Sequence, residues 1–149
     1  MSPDEPSPTG RRREARERAL ALLYEADSKG LPVAEVLAAL PVEPDPFAAV
    51  IVKGVAAERG ALDALIERFS VDWRLERMPV IDLEILRMAT FELARLREVP
   101  TAVAISEAVS LAKEYSTEES GRFVNGLLSR LARELRGGGP DRRDAPRGG

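Results

Sequence analysis

The stretch Met78–Leu96, MPVIDLEILRMATFELARL, limits what the chain can fold into more than any other segment. At about 100° per residue, Ile81, Ile85, Leu86, Met88, Ala89, Leu93 and Leu96 form one broad apolar stripe. Leu83 and Phe91 fall on other sides, so more than one face has to be covered. Such a helix cannot lie at a surface; the spacing predicts a central post against which other helices pack. Pro79 suits its first turn, and Asp82 sets negative charge near the positive end of the helix dipole. Glu92 falls inside the stripe, where an unpaired carboxylate is costly. It is therefore read as half of a structural ion pair with an arginine rather than as a catalytic acid.

The rest of the chain supplies the helices. The first is expected from Arg11 to Asp27, with Ala15, Ala19, Leu22, Leu23 and Ala26 as its buried stripe and Gly30-Leu31-Pro32 as its stop. A short helix, Val33 to Leu40, precedes a proline-stiffened linker, Pro41 to Pro46. The third starts near Phe47, ends or bends at Gly60, and resumes from Ala61 to Phe69. After the break at Val99-Pro100, Ala104, Ile105, Ala108, Val109, Leu111, Ala112 and Tyr115 make another stripe. Ser116-Thr117-Glu118-Glu119 has capping-box spacing and opens a last helix to about Leu135. Residues 1–10 and the Gly-, Pro- and charge-rich segment 137–149 are expected to be disordered. The fold class is all-α: one domain over 11–136, with sub-bundles of about 11–60 and 61–136.

Cysteine and histidine are both absent, which removes disulfides, His–Cys zinc sites, Ser–His triads and imidazole bases. No glycine-rich cofactor loop, P-loop or metal-ligand cluster occurs, so no cofactor, metal or catalytic residue is expected. No apolar run reaches the ~18 residues of a membrane span and no signal-peptide core is visible, which makes the cytoplasm the expected compartment. The net charge of −3 argues against a nucleic-acid coat over the whole surface, but not against local patches.

Two such patches stand out. Arg11 to Arg18 holds five arginines against Glu14 and Glu17, and cations at a helix N-terminus oppose the dipole. A solvated helix start explains the run blandly; phosphate binding by bidentate guanidinium groups explains the unfavourable placement. On the last helix, Phe123 lies off the stripe Val124, Leu127, Leu128, Leu131 and Leu135, beside Gly126 and Arg130 and near Arg122 and Arg133. Packing against a neighbour is the bland reading; a platform for an unpaired base is the functional one. Gly54 and Gly126, both inside helices, are read as sites of close helix approach.

With these residues in view, the chain resembles the NusB family of bacterial antitermination factors from Arg12 to about Leu131. The segments that carry the likeness are RRREARERALALLYEAD, LDALIERF, DLEILRMATFEL and VPTAVAISEAVSLAKEYSTEESGRFVNGLL. The resemblance implies two packed helical sub-bundles and no catalysis. It also implies binding to boxA, a short single-stranded RNA element of nascent ribosomal RNA transcripts, together with the small-subunit ribosomal protein NusE. That pair promotes read-through by RNA polymerase. By position it implies RNA-binding roles for Arg12, Arg13, Arg16, Glu119, Ser120, Arg122 and Phe123, and NusE-facing roles for Tyr24 and Asp82. Some members form homodimers that cover the RNA surface, so a homodimer is among the implied partner states. Glu14 and Gly121 depart from the family pattern, where a basic residue and a polar or basic residue are common. The alternatives are the N-terminal domain of an RNA methyltransferase, a helical adapter that binds proteins alone, and an enzyme acting through Asp82 or Glu92.

Overall fold

A computed structural model describes residues 8–137 other than residue 72, and within them the chain forms six α-helices and no strand. The helices are α1 (Pro8–Lys29), α2 (Val33–Ala38), α3 (Pro46–Phe69), α4 (Val80–Arg95), α5 (Thr101–Tyr115) and α6 (Glu118–Arg136), with a 3-10 turn at Leu75–Arg77 between α3 and α4. Of the expected tails, Pro8–Gly10 instead begin α1, and Gly137 caps α6; the remainder lies outside the described residues.

α1 ends as its sequence dictates. Gly30 takes the left-handed conformation (φ +63°), and the Leu31 N–H donates back to the Ala26 carbonyl at 2.9 Å. The predicted stripe is buried, but so are Leu20 and Arg16, and polar side chains of α1 reach α5 along a further face. Glu17 on that face accepts a 2.7 Å hydrogen bond from the Tyr115 hydroxyl. Tyr115, expected in the core, is therefore 46% exposed at the end of α5.

α3 starts where the Asp45 carboxylate accepts the Phe47 N–H at 2.8 Å, with Pro46 in the first turn. Helix continues to Phe69 across a kink at Glu58 (φ −114°, ψ 19°), two residues before the Gly60 at which the sequence predicts an end or a bend. Arg95, at the end of α4, clasps the Glu58 carboxylate with two bonds from Nε at 2.9 and 3.0 Å and a third from Nη2. Gly54 has a packing reason: a Cβ there would lie 2.1 Å from the Phe91 ring of α4.

α4 is the central post. Every residue from Glu84 to Leu93 is buried, and the core is one continuous cluster fed by all six helices. A helix buried on all sides must pair its charges. Arg16 clamps Glu92 from α1, with Nη2–Oε1 at 2.7 Å and Nε–Oε2 at 3.0 Å, which is the ion pair expected for Glu92. Arg87 forks onto Asp63 of α3 at 2.7 and 2.9 Å and also binds Glu84. Burial pushes the Glu84 carboxyl above its ordinary range, with the Arg87 charge pulling the other way.

The carbonyl end of α4 is closed from far along the chain. Arg136, expected to lie past the last helix, is its final residue and is buried. Its guanidinium donates to the carbonyls of Leu93 (3.0 Å) and Glu92 (3.2 Å) in α4, and to those of Leu96 (3.3 Å) and Val99 (2.7 Å) beyond it. Cations suit a helix C-terminus, where carbonyls lack intrahelical partners.

Candidate nucleic-acid interface

The arginines of α1 divide by the face on which each falls. Arg12 is exposed, and its guanidinium stacks 4.4 Å above the Phe47 ring; among the described residues it makes no ion pair. Arg13, one position on, is tied to α5 by Glu107 at 3.0 Å and Glu114 at 2.9 Å. Burial works against its charge, but the hydrogen bond to Glu114 and the nearby carboxylates hold its pKa above the ordinary arginine value. Arg16 is 3% exposed and spent on Glu92, with Glu107 3.9 Å from Nη1. Arg16 therefore cannot reach a phosphate. The role expected for it is corrected to a structural one, and its spacing of four and seven from Leu20 and Leu23 is the signal in the sequence.

The start of α6 is similarly split. Thr117 is the N-cap, one residue later than the capping-box spacing suggests, and its hydroxyl accepts the Ser120 N–H at 2.9 Å. Ser120 is buried and donates to Asp82 Oδ2 at 2.7 Å, so the fold uses each side chain to hold the other, in place of the ligand-facing roles expected for them. Asp82, 0% exposed, is thereby removed from any partner surface and does not share a face with Tyr24, which is 44% exposed on α1. What Asp82 does instead is fix the first turn of α6 to the first turn of α4. Gly121 packs tightly, since a Cβ there would meet the Lys113 side chain at 2.7 Å.

That anchoring leaves Glu119 and Arg122 exposed and Phe123 half-buried. Phe123 rests one edge on Trp73, with ring centroids 5.0 Å apart at a tilt of 47°. Trp73 follows α3 and precedes the 3-10 turn, and nothing in the local sequence pattern singles it out. Its only cue is an aromatic residue in an arginine-containing linker, Trp73-Arg74-Leu75-Glu76-Arg77. The two candidate patches hang from one helix. Arg16 grips α4 at Glu92 and Ser120 grips it at Asp82, ten positions apart or about 15 Å along the axis. Among the described residues no cluster of acidic groups could hold a metal, and no helix is long and apolar enough to cross a membrane.

Five helices packed around a fourth helix that is charged and yet buried from Glu84 to Leu93 define an all-α fold shared with solved NusB structures. Thermotoga maritima NusB superposes with a TM-score of 0.76 at 32% identity, covering 87% of this chain and 94% of that one. A complex of antitermination factors NusB and NusE with double-stranded RNA superposes at 0.70 with 25% identity, over 83% and 96% of the two chains. The sequence profile of the NusB family matches residues 13–133, and the chain belongs to that family. Among its relatives, the transcription antitermination protein NusB of Thermobifida fusca is 45% identical over 126 residues, 82% of this chain and 89% of its own length. That of Salinispora tropica is 48% identical over 129 residues, 81% and 94% of the two chains.

Proposed function

We propose that the protein is a cytoplasmic transcription antitermination factor that binds boxA-type RNA of nascent ribosomal transcripts together with the ribosomal protein NusE, and so joins the antitermination complex on RNA polymerase. It works by binding and carries no catalysis. The family match across residues 13–133 carries this reading, because it spans nearly the whole helical body and every candidate contact except Arg12. Of the candidate RNA contacts, Arg12 on α1 and Arg122 on α6 are exposed and Phe123 is half-buried, with Glu119 beside the α6 pair. Tyr24 supports a protein-docking surface on α1, since an exposed tyrosine offers large contact area at low entropy cost. Single-stranded RNA is favoured over duplex because bases within a duplex are already stacked on their neighbours and leave no face for Phe123.

The test is a titration of labelled boxA RNA, single-stranded and as a duplex, with and without NusE and over a salt series. Two phosphate contacts, from Arg12 and Arg122, predict a log–log salt slope of about −1.4, at about −0.7 per contact to a single strand. Binding should tighten when NusE is present, and Tyr24→Asp should remove that gain alone. Equal affinity and slope for the parent and the Arg12→Ala, Arg122→Ala double variant would refute the assignment.

A further inference from the structure

Beside Phe123 the surface sinks into a recess of about 440 Å³, walled by Trp73 and Val71 from the α3–α4 linker and by Arg122, Gly126 and Arg130 from α6. Three features of it are unexplained by folding. Gly126 sits inside a helix, where glycine costs about 1 kcal/mol relative to alanine. Yet a Cβ there would meet only Arg130 Nη1, at 3.4 Å, so close helix approach, the reason expected from the sequence, does not account for it. Arg130 donates from Nη2 to the Phe69 carbonyl at 3.0 Å, but its buried Nε has no acceptor among the described residues. Buried donors are nearly always paired, so this one is poised for an acceptor that the described residues do not supply. Lastly, Trp73 and Phe123 present two rings at a tilt, and Arg122 stands at the rim without an ion pair among the described residues.

We infer that this recess is a nucleobase pocket in which one unpaired base of the RNA stacks against Trp73 as well as Phe123, with Arg130 as an internal donor. The inference rests on the RNA-binding reading above and extends it to Trp73, Gly126 and Arg130. Aromatic faces and arginine planes are what an unpaired base needs, and base carbonyls and ring nitrogens supply the acceptor that Arg130 lacks. Glu119, also on the recess, repels phosphate, so the base enters and the backbone stays on the Arg122 side. The absent side chain at Gly126 is the room that the base occupies.

Trp73 is the only tryptophan in the chain, so its emission reports on this pocket alone. The full chain is titrated with short single-stranded boxA RNA carrying a fluorescein label, reading tryptophan emission and label anisotropy in parallel. The parent should lose tryptophan emission with the same midpoint that anisotropy reports. Gly126→Leu extends a side chain from a position whose Cβ meets only Arg130 Nη1, at 3.4 Å; it should melt no lower than the parent yet bind RNA roughly five- to a hundredfold more weakly, the range one stacked base supplies. Trp73→Leu should weaken binding over the same range. If anisotropy shows binding while tryptophan emission stays constant and Gly126→Leu binds as the parent does, the pocket is refuted and RNA binding stands. If neither probe responds to RNA, the RNA-binding reading fails and takes the pocket with it.

Discussion

Arg12 and Arg16 lie one helical turn apart, and their surroundings give them opposite work. Removing Arg16 leaves the Glu92 carboxylate buried without a counter-charge, which typically costs about 3–5 kcal/mol. Arg16→Met should therefore lower the urea midpoint sharply, and adding Glu92→Met should recover much of the loss, because an apolar pair of similar volume has no charge to desolvate. Arg12→Ala gives up only a surface cation–π contact of about 0.5–1 kcal/mol, so its deficit should appear in RNA binding and hardly in the melt. Wild-type stability in Arg16→Met would show that the buried pair is not structural. Tyr115 offers a test by pH. The hydrogen bond to Glu17, with burial and nearby negative charge, raises its pKa from 10 to about 12. A raised folded pKa means that this contact stabilises fully below pH 10 and is lost as pH rises through about 12. In a Tyr24→Phe background, near-ultraviolet titration should place the phenolate transition near 12, and Glu17→Gln should bring it back towards 10.

At the level of elements, α4 and α6 are joined by two polar ties, Ser120 to Asp82 at one end and Arg136 to the carbonyl terminus at the other. Arg136→Leu would strip several buried carbonyls of a charged donor. A loss of at least about 2 kcal/mol is expected by chemical denaturation, from the usual worth of hydrogen bonds to charged groups. A change of only a few tenths would mean that the cap is ornamental. The helices themselves are legible in the sequence, because apolar spacing and the breaks at Gly30, Pro41 and Pro100 determine where helix must stop. Their polar ties are legible only in part. Glu92 lies within a stripe and demands a partner, whereas Arg136 sits beside a run of glycines and a proline and reads as tail. Asp82 also lies on the apolar side of α4, and the family resemblance implies a partner-facing role for it. The serine that claims it is 38 residues away, beyond the reach of any local pattern. Trp73 is equally hidden, because its meaning depends wholly on its meeting with Phe123.

For the whole molecule, the two outward patches are anchored to a single post at Glu92 and Asp82, points about 15 Å apart along its axis. Sites on different helices that do not touch each other add in free energy to within about 0.5 kcal/mol. The double variant Arg12→Ala, Phe123→Ala should therefore lose RNA affinity as the sum of its single losses. A coupling above about 1 kcal/mol would mean that the patches communicate through α4 or that one nucleotide touches both.

The reach of Arg136 also bears on the order in which the protein can be made. The carbonyls it closes lie up to 44 residues upstream, so they are synthesised long before their cap exists. Chains emerge at about 5–20 residues per second, which leaves the end of α4 open for seconds while α5 and α6 follow. A nascent chain halted just short of Arg136 would have nearly all of its helices and still lack the residue that closes them. Completion of the fold is thus timed by the ribosome's release of the last helical turn.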